Sequence, residues 1–234
     1  FLRQTFGDSD ELIDYVGDVL GQALSGEPSK LQQAWMWIGS GGNGKSTLSS
    51  VLLRILGDYA CVAPPGLLMQ RREENTSMLA DLRARRLVMV TEFDEQGRLD
   101  LAQLKVLTGE EMLRARHLYR EWMQFPRTFS IICHANCRPL VSEISEAVWR
   151  RIREVPFEYT VPPERRDPEL ADRLFEERQG ILAWLIRKAQ RWYATRRIHE
   201  PAAVKMATAD YCRESDSVGM WIDDCCTLGS GSAF

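Results

Sequence analysis

From residue 8 to residue 24 the chain reads DSDELIDYVGDVLGQAL, and Leu12, Val16, Val19, Leu20 and Ala23 recur at intervals of three and four. That period predicts an amphipathic helix, with Asp8 or Ser9 as its N-cap and Glu11 in the first turn. SGEPSK at 25–30 supplies the glycine and proline that break it. The pattern then changes. AWMWIG (34–39), LVMVTEF (87–93) and TFSIICHAN (128–136) are short apolar runs, each predicting a buried strand. IREVPFEY (152–159) offers a fourth.

Helical patterns fill the spaces between these runs: KSTLSSVLLRIL (45–56) closed by Gly57, and LDLAQLKVL (99–107) stopped by Thr108-Gly109. Two more helices follow between Asp167 and Arg197, and another begins at Pro201 before a ragged GSGSAF end. Alternating strands and helices predict an α/β layer on a mostly parallel sheet. No internal repeat or low-complexity linker interrupts it.

Composition narrows the class. Apolar residues make up 44% and charged residues 27% of 234, the balance of a globular domain. The longest apolar runs are far too short to span a membrane. The chain opens on Phe1, without a basic-then-apolar leader, and reads as a piece of a longer protein. Six cysteines form no CxxC pair and only three histidines accompany them, so neither a zinc site nor a disulfide framework is expected. A reducing, cytoplasmic setting fits. The net charge of −3 advertises no global basic field. The arginines are nonetheless clustered, in LRARRL (82–87), LRARHLYR (113–120) and WRRIR (149–153).

Candidate chemistry begins at the end of the first strand. Gly39, Gly44, Lys45 and Ser46 satisfy G-x-x-x-x-G-K-[ST], with Ser40, Gly41, Gly42 and Asn43 between the glycines and Thr47 after them. Glycines let backbone N–H groups wrap phosphates, Lys45 adds charge at the β- and γ-phosphates, and the Ser46 hydroxyl ligates Mg²⁺. The helix starting near Lys45 aims its positive end at the same anion. ATP with Mg²⁺ is the implied cofactor pair.

Hydrolysis further needs an acid near metal and water. LVMVTEFDE places Glu92 at the end of a buried strand, where a sheet presents its side chains to the crevice. Thr91 stands where many such ATPases carry a first acid, so Glu92 serves both metal and water or Asp94 assists. At the end of the third strand, Asn136 offers an amide for the γ-phosphate or its water; an ordinary turn residue before Pro139 is the other reading.

Taken together, GSGGNGKSTL (39–48), RRLVMVTEFDEQGRLDLAQLKVLTG (85–109), LRARHLYREWMQFPRTFSIICHAN (113–136) and VWRRIREVPF (148–157) resemble a superfamily 3 helicase domain of the AAA+ class. GILAWLIRKAQRWY (180–193), PAAVKMATADYCRESD (201–216) and the first helical segment continue the likeness. It is nearest to the ATPase half of phage, plasmid and large-virus primase–helicases and covers most of the chain in that family's order. The resemblance implies a three-layer P-loop core and a hexameric ring with ATP between subunits. It also implies an arginine reaching into the neighbour's site: Arg150, with Arg151 as the alternative. A hairpin before the third strand would grip single-stranded DNA in the channel, with Arg114, Arg116 and His117 foremost and Tyr119 and Arg120 beside them. Cations there would track phosphates and His or Tyr would stack. Lys105 matches a recurrent lysine of the family. A primase domain is expected upstream and a winged-helix domain downstream of Asp216.

The expected organisation is a helical element over 1–30, an ATPase core over 31–160 and a helical part over 161–234. The expected activity is ATP-driven translocation on single-stranded DNA with duplex unwinding. Two rivals remain: a P-loop small-molecule kinase using LRARRL in its lid, and an ATP switch that loads other proteins without translocating.

Overall fold

A computed structural model describes residues 1–27, 31–70, 76–91 and 97–216, with Gly219, Trp221 and Cys225. In chain order its elements are α1 (Leu2–Thr5), α2 (Asp10–Ser25), β1 (Ala34–Ile38), α3 (Lys45–Leu56), β2 (Ala60–Val62) and α4 (Thr76–Ala80). Then come β3 (Leu87–Val90), α5 (Leu101–Gly109), β4 (Met112–Ala115), β5 (Met123–Pro126), β6 (Ser130–Ala135) and α6 (Glu146–Trp149). β7 (Ile152–Pro156), α7 (Leu170–Glu176), α8 (Arg178–Thr195) and α9 (Ala202–Ser215) complete the described chain.

The four apolar runs form strands, and the short β2 joins them at one edge. The sheet has the order β2-β3-β6-β1-β7, and every pairing in it is parallel. The fold is therefore α/β, with helices on both faces, which is why its central strands read as unbroken apolar sequence. Alternation divides each strand between two cores. Met36, Val88, Ile131 and Cys133 turn to a core shared with α5, the β4–β5 hairpin and Tyr211 of α9. Trp35, Trp37, Met89 and Ile132 turn to the other, with α2 and α3. Trp35 and Trp37 are fully buried, and each large apolar side chain so removed from water stabilises by about 2–3 kcal/mol. Trp35 keeps its indole satisfied by donating to the Tyr15 hydroxyl at 3.0 Å.

Local chemistry sets the ends of the helices. Ser9, one of the two candidate N-caps, accepts from the Leu12 N–H at 3.3 Å, and α2 closes on Gly26 in the left-handed region. α3 starts at Lys45 and ends at Gly57, as its pattern predicts. The helical segments on either side of the core meet each other: α2 packs along α8. Gly17 and Gly21 permit that approach, since a methyl group at Gly21 would stand 2.5 Å from the backbone of Lys188. Lys188 in turn pairs with Asp14 at 2.9 Å and Asp18 at 3.1 Å.

Cys133 is buried on β6, where desolvation pushes its thiol well up, the inert small core residue its apolar run implies. Among the described residues no group of three or more His, Cys, Asp or Glu is placed to hold a metal ion. No described helix is long and apolar enough to cross a membrane.

Candidate nucleotide-binding site

All five parallel strands point their C-terminal ends the same way, and the loop after β1 sits at that end, where α/β sheets hold ligands. Gly41, Gly42 and Gly44 adopt φ of 97°, 62° and 88°, conformations a side chain resists. They turn the loop back on itself so that α3 can begin at once. Its first-turn N–H groups have no intrahelical acceptor and face the cleft with the positive end of the helix.

Lys45 is buried. Its Nζ donates to the Gly39 carbonyl at 2.6 Å and to Asn43 Oδ1 at 2.9 Å, and burial lowers its pKa to about 8. Asn43 is itself fixed by donating to the Phe157 carbonyl at 3.0 Å. The lysine is thus held in place by acceptors that carry no full charge, and a phosphate would relieve its desolvation. His134, on β6, is held below its usual range by burial and then by the Lys45 charge.

Above this loop opens a cleft of about 370 Å³, bordered by Gly41 to Thr47, including Ser46, and by Asn136. β6 lies directly beside β1, so its C-terminal end delivers Asn136 to the glycine loop. A methyl group at Gly41 would be 4.0 Å from Asn136 Oδ1. The glycine loop, Lys45, Ser46 and Asn136 are therefore brought together. Glu92 and Asp94 lie outside the described residues.

The remaining walls come from parts of the chain that local pattern could not connect with the loop. Phe1, Gln4 and Thr5 approach from α1 and the residue that caps it, and Val161, Arg165, Arg166, Asp167, Leu170 and Arg173 from the segment ahead of and within α7. That segment is stitched to the loop, with the Val161 N–H donating to the Gly42 carbonyl at 2.9 Å. The Arg166 guanidinium folds over Gly42, 2.7 Å from where a methyl group there would sit. Arg173 pairs with Asp167. The only sequence signal for these cations is the RRD step before a helix, over a hundred residues after the glycine loop.

The other candidates occupy the opposite end of the sheet. Arg150 and Arg151 precede β7, whose five residues run parallel to β1. One strand length, about 17 Å, separates them from the glycine loop of the same chain. Both reach Gln32 Oε1, at 3.4 Å and 3.3 Å. Arg151 is buried and also held by the Ala147 carbonyl, whereas Arg150 is exposed.

β4 and β5 form the antiparallel hairpin, with Arg114 opposite Gln124. Leu113, Ala115 and Phe125 root it in the core. Arg114 and Arg116 each lie 4.7 Å from the centre of the Trp122 ring, a cation–π contact that holds the guanidinium groups together. His117 stands 3.9 Å from Asp81. Tyr119, at φ 60°, is 97% exposed and marks the tip. Lys105 pairs with Glu143 at 3.3 Å. The LRARRL stretch, offered above as a kinase lid, instead leads into the N-terminal end of β3. There Arg85 donates to the Asp58 carbonyl at 2.5 Å and Arg86 to the Gly26 carbonyl at 3.3 Å, and neither borders the cleft.

Residues 37–151 match a family described as "Family of unknown function (DUF5906)". The chain is 26% identical over 244 residues to "Putative helicase L207/L206" of Acanthamoeba polyphaga mimivirus, covering 96% of this chain and 25% of that protein. It is 24% identical over 245 residues to "Putative helicase 022R" of Frog virus 3, again covering 96% of this chain and 25% of the relative. A shorter likeness, 27% over 122 residues, links it to "Putative primase C962R" of African swine fever virus, covering 50% of this chain and 13% of that protein. The chain thus spans about a quarter of the length of the first two. Among solved structures, "The A form apo structure of NrS-1 C terminal region-CTR" shares the fold with a TM-score of 0.69 at 14% identity, over 93% of this chain and 50% of the other.

Proposed function

We propose that the chain is the ATP-hydrolysing motor of a DNA helicase, of the superfamily 3 type within the AAA+ class. The observation that carries this reading is the convergence on one cleft of the glycine loop, Lys45, Ser46, Asn136 and the arginines of the 165–173 segment. Such a set suits a nucleoside triphosphate: donors wrap the phosphates, and cations at the rim neutralise the charge that shifts in the transition state. In this reading Ser46 holds Mg²⁺ together with the phosphates, and Glu92 contributes to metal and water. The chain's own residues bind and orient the triphosphate, and a metal held there would supply positive charge to offset that of the phosphates.

Likeness to viral proteins named as helicases and primases supports DNA as the partner. Residues 31–160 then form the ATPase core, with 1–30 and 161–234 as its helical flanks and a primase domain upstream. Exposed Arg150, a strand length from its own loop, suits a finger that completes the next subunit's site in a hexameric ring. The hairpin suits a channel contact in which Arg114, Arg116 and His117 follow phosphates and Tyr119 stacks on a base. The position of LRARRL away from the cleft counts against the kinase reading.

ATP hydrolysis measured with and without single-stranded DNA tests the motor. Stimulation by DNA, lost in the Arg116→Ala/His117→Ala variant while basal turnover stays, is expected. Turnover indifferent to DNA in a folded, assembled protein would sink the motor reading and favour the loading switch.

A further inference from the structure

Two residues beyond Asn136, the chain places a cation whose partners tie it to a different part of the molecule. Arg138 Nε and Nη2 donate to the two carboxylate oxygens of Glu154 on β7, at 2.8 Å and 3.0 Å. Its Nη2 also donates to the Ala207 carbonyl on α9 at 3.3 Å, and Nη1 pairs with Glu214, also on α9, at 2.6 Å. The guanidinium lies 5.5 Å from the centre of the Tyr211 ring, and the Tyr211 hydroxyl donates to the carbonyl of Pro139, the next residue. Thr208 accepts the Glu154 backbone N–H at 3.0 Å. The Glu154 carboxylate is almost wholly buried, so loss of its partner would leave an uncompensated charge in a poorly solvating site.

This arrangement exceeds what the packing of α9 on β7 requires. An apolar face would hold the helix there, whereas a planar bidentate pair fixes both distance and angle. The fixed group sits on the segment that carries Asn136 into the cleft. We propose that Arg138 is a positioning residue that sets the Asn136 turn through Glu154 and couples occupancy of the cleft to the seating of α9. Contact between Asn136 and a γ-phosphate pulls on the 136–139 turn. That pull reaches α9 through Arg138, Glu214 and Tyr211, so the helix reports which nucleotide is bound. The inference rests on the reading of the cleft as a triphosphate site and of Asn136 as the residue facing its end.

Hydrogen exchange across residues 202–215 of the 234-residue chain, without nucleotide, with ADP and with a non-hydrolysable ATP analogue, tests the coupling. Protection of α9 should differ between the ADP and ATP-analogue states. In Glu154→Gln that difference should vanish and turnover at saturating ATP should fall about tenfold, with nucleotide affinity kept within about twofold, a loss of the chemical step without loss of uniform binding. A merely structural role would instead lower thermal stability and leave the ADP–ATP contrast intact in the folded fraction. If Glu154→Gln does not fold, Glu214→Gln, whose carboxylate is largely exposed, removes the charged partner on α9 while the Ala207 carbonyl and Tyr211 contacts stay, and should shrink the contrast without abolishing it. Identical α9 protection in the ADP and ATP-analogue states of the unaltered chain, with binding of both confirmed by titration, would overturn the coupling. Failure of the unaltered chain to bind nucleotide would overturn the triphosphate reading instead.

Discussion

At the scale of single residues, Lys45 carries a sign that can be measured. Burial holds its pKa at about 8 in the free protein, and a bound polyphosphate favours the charged form and raises it. Above pH 8 the complex therefore holds more protons than the free chain. Affinity for ATP should be level below that pH and fall as pH rises past it, by at most about tenfold per pH unit. Titration calorimetry from neutral pH upward checks this, with Lys45→Met as the control that should bind weakly and without the slope. An affinity that stays level well above pH 8 would show that the lysine is charged in the free site without cost. The loop itself was legible in the sequence because each part of it is local: glycines that reach positive φ, and a lysine and serine at fixed spacing from them. Arg166 was not, because nothing within reach along the chain says that it folds over Gly42.

At the scale of elements, buried strands and long helices follow their patterns to within a few residues. α3 and the central strands were legible because a parallel sheet covered on both faces demands unbroken apolar runs. The structure corrects the picture at the margins. Of the run 87–93, Leu87–Val90 form a strand and Thr91 stands outside it, while Glu92 and Phe93 lie outside the described residues. β2, with just three residues at the edge of the sheet, is too short to show a period. The contact between α2 and α8 was likewise hidden, since Gly17 and Gly21 look like weak points in a helix until its partner is known. Propensity alone says that Gly21→Ala stabilises α2 by about 1 kcal/mol. The backbone of Lys188, 2.5 Å from the added methyl, says the opposite, because overpacking against main chain costs about 1–3 kcal/mol. Denaturant unfolding should show a net loss of stability. A gain would mean that the two helices stand further apart than described.

At the scale of the whole molecule, the two ends of the sheet carry different groups. The cleft with Lys45 and Asn136 lies at the C-terminal end and Arg150 at the other, so one chain cannot bring its own Arg150 to its own glycine loop without unfolding β7. A finger acting between copies makes a specific demand. Arg150→Ala should lower turnover of the assembled protein on the order of a thousandfold, and Lys45→Ala should abolish it. A mixture of the two should recover part of the activity, since some junctions pair an intact loop with an intact finger. Turnover of the mixture is the measurement. No recovery, in a mixture shown to co-assemble, would show that Arg150 does not act between copies.

By itself the sequence determined the class of the fold, the glycine loop and the strand that carries Asn136, because those depend on period, on local backbone freedom and on short spacings. Tertiary structure alone decided which distant groups meet: Arg165, Arg166 and Arg173 over the loop, α2 against α8, and Arg138 locked between Glu154 and α9. Each of these contacts joins residues far apart along the chain, and is settled by how the layers pack rather than by any neighbour in sequence.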